Sequence, residues 1–185
     1  MRTEELIVLV NARGEPTGTA EKIASHHAET PLHLGFSCYV FDDAGRFLAT
    51  RRSAAKKVWP GVWTNSVCGH PAPGESFRAA IARRLDHELG MRADDVSVVL
   101  ADHLYRAPPF RGIVEHEFCP VFVARARSAP QPNPDEVAEH RWMPWEDFVR
   151  AVRSDARNRF SWWCKDQLRQ AAEPFGASLT MRSAS

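Results

Sequence analysis

The run from residue 75 to 89 constrains the fold most. Its apolar residues Phe77, Ile81, Leu85 and Leu89 recur near every fourth position, and Gly90 follows where a helix C-cap favours a left-handed residue. This pattern predicts a helix with one apolar face, which is stable only when another element covers that face. Strand-like runs on either side supply the cover: 5–10, 32–41, 47–52, 96–104, 113–126 and a short run at 140–143. Helices set among strands and hairpins predict an α/β (α+β) fold, a mixed β-sheet sandwich flanked by helices.

The connections sharpen this reading. Asp42-Asp43-Ala44-Gly45 between two strand-like runs predicts a hairpin with a positive-φ position. Residues 11–18 read as a turn and 21–27 as a short helical segment. Residues 53–74 carry Pro60, Gly61, Gly69, Pro71, Pro73 and Gly74 with little periodicity, so they read as an ordered surface loop of the kind that carries sites. Two further helices are expected at 145–152 and 160–172, and a frayed tail at 174–185. No internal repeat appears, and a chain of 185 residues fits one domain, with its core at about 31–172 and an extension before it.

Charge and cysteine usage exclude several classes. With 24 Lys+Arg against 23 Asp+Glu the net charge is +1, so no global field draws the chain to nucleic acid or an anionic membrane, and any anion site must be local. The N-terminus does not read as a signal peptide, and no stretch reaches the length of a membrane span. Cys38, Cys68, Cys119 and Cys164 lie far apart without a CxxC pair. The expectation is a cytoplasmic protein with free thiols, three of them behaving as small buried hydrophobes. Cys68 differs by context: it lies in a Gly-, Ser- and Asn-rich loop two residues before His70, where a thiol can be exposed and its ionisation tuned.

Two segments carry chemistry. Gly69-x5-Glu75-x7-Arg83-Arg84-Leu85-x-His87-Glu88-x-Gly90-Met91 resembles the Nudix box, a loop-helix-loop with the pattern Gly-x5-Glu-x7-Arg-Glu-hydrophobic-x-Glu-Glu-x-Gly-hydrophobic. Arg84 and His87 stand where Nudix hydrolases carry metal-binding acids that gather magnesium to activate water, so the fold signal survives and the hydrolase signal does not. Trp59-Pro-Gly-Val-Trp-Thr-Asn-Ser-Val-Cys-Gly-His70 resembles the WPGxWTNSxCGHP segment of type I isopentenyl-diphosphate Δ-isomerases. Leu32-His33-Leu34, Arg51-Arg52, Lys56-Lys57, Tyr105-Arg106-Ala107 and Gly112-Ile-Val-Glu-His-Glu-Phe-Cys-Pro120 extend the likeness over nearly the whole chain.

The residues can be read beside the resemblance. Glu115 and Glu117 are one residue apart on a strand-like run, so both carboxylates face one side. A buried pair of this kind needs a cation, or one carboxyl must hold its proton; an edge strand with a wet acidic face is the bland alternative. His26, His33 and His70 with these two acids make a mixed nitrogen and oxygen set suited to manganese, zinc or iron(II), and the family uses these positions as a metal site. His26 is preferred to its neighbour His27, which is expected to face solvent. The resemblance implies that Glu88 helps hold magnesium with the diphosphate, although Arg84 and Glu88, four apart on one helix face, suit a plain ion pair equally well.

The family resemblance further implies isomerisation of isopentenyl to dimethylallyl diphosphate. It assigns Lys22, Arg52, Lys56 and Arg84 to the diphosphate, and Cys68 and Glu117 to proton handling, with Tyr105 hydrogen-bonded nearby. Trp163 would stabilise a carbocation, and here Trp162 replaces the family's proline in Phe160-Ser161-Trp162-Trp163. The expected partner is a small diphosphate, the chain acting as a monomer or weak homodimer. The competing readings are a Nudix diphosphohydrolase and a non-catalytic diphosphate-binding module.

Overall fold

The computed structural model describes residues 5–171 and Phe175; the expected tail at 174–185 otherwise lies outside the described residues. The chain enters as a hairpin, β1 (Leu6–Val10) and β2 (Pro16–Glu21), followed by the single turn α1 (Lys22–Ser25). The turn between these strands is shorter than 11–18: Asn11 Oδ1 accepts from the backbone of Arg13 and Glu15, and Pro16 opens β2, a strand position where a missing N–H is tolerated. Then come β3 (His33–Leu34), β4 (Phe36–Phe41) and β5 (Phe47–Arg52). Asp42 and Gly45 make the hairpin between β4 and β5 as expected, with Gly45 at φ 73° and the Asp42 carboxylate accepting from two backbone N–H groups.

Three expected strands are each split between two sheets. Residues 32–41 break at Gly35 into β3 and β4, and 113–126 break at Cys119-Pro120 into β10 (His116–Phe118) and β11 (Val121–Ala126). Pro120 supplies no ladder N–H, so pairing stops there. The run at 96–104 is likewise two strands, β8 (Ala93–Leu100) and the start of β9 (Leu104–Arg106). The expected loop 53–74 contains β6 (Trp63–Thr64) and β7 (Val67–Gly69), too short to show periodicity, paired with β5 and β4. The remaining elements are α2 (Phe77–Leu89), β12 (Val137–Met143), α3 (Trp145–Arg153) and α4 (Trp162–Gln170).

The five-stranded sheet runs β2-β1-β3-β10-β9. The larger sheet runs β12-β5-β4-β11-β8, with β6 and β7 attached. Both are mixed, β3/β10 and β4/β11 being parallel. Alternation along β4 builds two cores: Phe36, Cys38 and Val40 pack with Ile81, Leu85 and Leu89 of α2, while Tyr39 and Phe41 join Trp145, Phe148, Trp163 and Leu168 on the opposite side. The helix that constrains the fold is capped by the Ser76 side chain, and Gly90 takes the left-handed conformation at φ 55°. The paired breaks at Gly35 and Cys119-Pro120 carry both chain segments from one sheet to the other, so a cavity between the sheets receives side chains from each.

Candidate active site

One row of residues crosses the five-stranded sheet. Glu117 on β10 stands opposite His33 on β3 and opposite Tyr105 on β9. Glu117 is therefore interior to its sheet, which excludes the wet edge strand. The larger sheet contributes Cys68 on β7 and Arg52 on β5. With Trp163 of α4 they border one cavity of about 360 Å³, also lined by Lys22, His26, Lys56, Lys57, His70, Arg84 and Glu115.

His26, His33, His70 and Glu115 each offer a ligand atom, all within 4.8 Å of one another. His26 Nδ1 is held at the Lys22 carbonyl (2.6 Å) and His33 Nδ1 at the Pro31 carbonyl (2.9 Å), which leaves their Nε2 atoms for the cluster. His27 is exposed. Glu117 lies beside the group, its Oε1 3.0 Å from His70 Nε2 and 3.7 Å from His33 Nε2. Among the described residues Glu115 Oε2 and His70 Nδ1 are buried without hydrogen-bond partners. Three imidazoles, two buried carboxylates and an orphaned carboxylate oxygen fit a divalent cation, whose charge would offset the like-charged pair.

Bringing these groups together has an electrostatic cost. Burial, reinforced by the charge of Glu117, pushes the Glu115 carboxyl up. Burial also acts upward on Glu117, but the hydrogen bond and charge of His70, with the charge of His33, outweigh it and hold Glu117 down. His33 is pushed down to about 4, mainly by burial. The Cys68 thiol is pushed up to about 11, again mainly by burial, with Arg52 opposing. Cys68 is half-buried and borders the cavity, less open than its loop composition suggested. Cys38, Cys119 and Cys164 are buried as expected.

The basic end is partly engaged within the protein. Lys22 pairs with Glu5 at 2.8 Å, Lys56 pairs with Glu136, and Arg52 donates to the Trp59 and Val58 carbonyls. Burial pulls Lys56 down to about 8, and the neighbouring Arg52 and Arg84 add to this. Arg84 bonds Glu88 Oε1 through two nitrogens at 3.0 and 2.6 Å. Glu88 is buried and does not line the cavity. The ion pair that sequence spacing allowed is thus present.

Of the two indoles, Trp163 faces the cavity and Trp162 packs at a tilt on Tyr105, 5.6 Å between ring centroids. Among the described residues the Tyr105 hydroxyl has no hydrogen-bond partner, unlike the expectation. Sequence reasoning missed Asn65, whose Oδ1 accepts from Trp163 Nε1 (3.1 Å) and whose Nδ2 donates to the Val67 carbonyl (2.6 Å). This fully buried amide ties the indole to the backbone just before Cys68. Its position inside the WPGxWTNSxCGHP segment was the available signal. Gly35 was missed too: a Cβ there would overlap the Glu117 carboxylate.

The NUDIX domain model matches residues 31–163. An isopentenyl-diphosphate Delta-isomerase of Frankia alni is 48% identical over 179 residues, covering 95% of this chain and 92% of its own length. That of Kocuria rhizophila is 51% identical over 170 residues, covering 92% and 94%. The chain belongs to the isopentenyl-diphosphate Delta-isomerase family. Among solved structures, DR0079 from Deinococcus radiodurans is similar with a TM-score of 0.68 at 20% identity, covering 91% of this chain and all of that one. A MutT NUDIX hydrolase from Burkholderia pseudomallei is similar with a TM-score of 0.57 at 20% identity, covering 75% and 97%. At these identities the two structures speak for the fold alone. In the isomerase family member described here, Arg84 holds Glu88 where the Nudix box otherwise places a further acid.

Proposed function

We infer that this chain interconverts isopentenyl and dimethylallyl diphosphate through a tertiary carbocation. The observation that carries the reading is the division of one cavity: Cys68, Glu117, Tyr105 and Trp163 border it together with the basic residues Lys22, Arg52, Lys56, Lys57 and Arg84. The basic residues would hold the diphosphate and the rest would enclose the five-carbon chain.

A proton delivered to the terminal methylene carbon places positive charge on the tertiary carbon; loss of a proton from the carbon on its other side forms the new double bond. The step balances, one proton in and one out, and leaves donor and acceptor with exchanged protonation states. Cys68 and Glu117 are assigned these two roles, and direction decides which donates first. Trp163 would face the cation with its indole, contributing about 0.5 to 2 kcal/mol. Asn65 fixes that indole. Tyr105 would present its hydroxyl beside Glu117. Exclusion of water protects the cation from capture.

His26, His33, His70, Glu115 and Glu117 would hold manganese, zinc or iron(II), which when bound offsets the paired carboxylates and sets the acidity of Glu117. Glu88 would hold magnesium, an ion that favours few protein carboxylates and several phosphate or water oxygens, with the diphosphate once the phosphate oxygens draw Arg84 from its carboxylate. Four free cysteines suit a reducing compartment, and we place the enzyme in the cytoplasm, acting as a monomer or weak homodimer. No described helix is long and apolar enough to cross a membrane.

The test is incubation of isopentenyl diphosphate with the enzyme, magnesium and manganese, following product and phosphate together. Dimethylallyl diphosphate without phosphate release is expected. Release of phosphate would move the assignment to a diphosphohydrolase, and binding without conversion to a binding module.

A further inference from the structure

Tyr105 is placed by a second set of contacts that the cavity itself does not require. His103 and Tyr105 flank Leu104 at the start of β9, and their rings stack at 5.2 Å with planes 28° apart. Trp162 lies on Tyr105 at 5.6 Å and 30°. His103 is fully buried, and its Nε2 meets Asp166 Oδ2 at 3.0 Å, where Gln170 Nε2 also donates at 2.8 Å. Among the described residues no partner reaches His103 Nδ1.

Two spacings are matched here. Residues two apart on a strand are separated by about 6.6 Å, and residues four apart on a helix by about 6 Å along its axis. Trp162 and Asp166 on α4 therefore meet Tyr105 and His103 in register, the indole on the phenol and the carboxylate on the imidazole. A one-residue slip of either element would undo both contacts. Trp162 stands where the family pattern has proline, and a proline could not supply this tilted indole.

We propose that Trp162, His103 and Asp166 are positioning residues, a two-point clasp between α4 and β9 that fixes the direction of the Tyr105 hydroxyl in the cavity. This rests on the reading of Tyr105 as a residue of the isomerase site. The clasp also joins Tyr105 to the helix that carries Trp163, so the two groups that border the hydrocarbon end keep their relative placement. Neither His103 nor Asp166 touches the cavity, so both act through the phenol.

The experiment combines kinetics with a spectroscopic readout. Trp162→Ala and Asp166→Ala are made alone and with Tyr105→Phe, and kcat and KM are measured for isopentenyl diphosphate with magnesium and manganese. Each single variant is expected to lower kcat about tenfold with KM changed less than about twofold, because a small misplacement near the reacting carbons is costly and the diphosphate grip is elsewhere. In the Tyr105→Phe background the same changes should cost less than about twofold more, since residues acting as a unit are not additive. Equal losses in both backgrounds overturn the proposal. The chain has two tyrosines, so 3-fluorotyrosine labelling reports Tyr105 with Tyr39 as a control. Tyr39 hydrogen-bonds Gln167 of α4, so a general shift of the helix would move both signals and overturn the clasp; movement of the Tyr105 signal alone supports it. The fluorine readout does not depend on turnover. Failure of the isomerase assignment, seen as a wild type that makes no dimethylallyl diphosphate, is thereby separated from failure of the clasp.

Discussion

Glu117 stands directly across from Tyr105 in the antiparallel pair of β9 and β10, and both side chains border the cavity. Directly paired residues share a face, so the carboxylate and the phenol are delivered to one place by sheet register alone. The same row continues to His33 on β3. The site is thus built on strands, with its opposite wall, Cys68, on the short β7 of the other sheet.

Gly35 is required by the closeness of that row. A methyl group there would collide with the Glu117 carboxylate and turn it away from His70 and His33. Gly35→Ala is expected to lower kcat about a hundredfold, since misplacement on the order of 1 Å can cost that much. A kcat within about threefold of wild type would show that Glu117 has room to move.

Trp163 contributes less than the proton-handling groups. An indole over a cation supplies about 0.5 to 2 kcal/mol, which corresponds to roughly 2- to 30-fold in rate. Trp163→Phe is expected to fall in that range, while loss of a proton donor or acceptor costs about 10²- to 10⁴-fold. If Trp163→Phe and Cys68→Ala lost equal activity, the indole would have a role beyond cation stabilisation.

Metal removal tests the histidine cluster. Dialysis against a chelator should lower the melting temperature, and manganese should restore it. At a hundred times Kd, bound metal adds about 2.7 kcal/mol, or roughly 5–10 °C for a chain of this size. In His33→Gln the metal-dependent shift should be largely lost; an unchanged shift would place the metal elsewhere.

Acid stability is expected to depend on Asp155. Burial acts upward on its carboxyl, but Lys165 and the backbone N–H groups of Arg159 and Phe160 outweigh it, holding it near 2 against an ordinary 3.8. A depressed folded-state value stabilises above the unfolded value and is lost as pH falls. Asp155 should therefore add on the order of 1 kcal/mol at neutral pH once solvent screening is allowed for, declining between pH 4 and pH 2. Urea unfolding of Asp155→Asn should show that deficit at pH 7 and a smaller one at pH 3. A pH-independent deficit would assign the loss to packing.

Much of this site was legible in the chain because its residues sit in motifs with fixed spacing. The helix ending at Gly90 and the hairpin at Gly45 follow from local rules, and the structure places them accordingly; Glu115 and Glu117 border one cavity although Glu115 precedes β10. What local rules miss is the change of sheet at Gly35 and at Cys119-Pro120. Each reads as one strand-like run because no cluster of turn residues surrounds Gly35 or Pro120, and only the partner strands reveal the break. The exposure of Cys68 differs for a related reason. Loop composition suggested an open thiol, whereas β7 pairs with β4 and leaves it half-buried at the cavity wall. Asn65 and the clasp on Tyr105 depend on contacts of 98 and 63 residues' separation, beyond any local pattern.

The most direct measurement is proton NMR of isopentenyl diphosphate in deuterated water with magnesium and manganese, comparing the wild type with Cys68→Ala and Glu117→Gln. Deuterium-labelled dimethylallyl diphosphate is expected from the wild type, with losses of about 10²-fold or more in both variants and the diphosphate still bound. Dimethylallyl diphosphate formed at wild-type rate by either variant would contradict the assignment of those two groups.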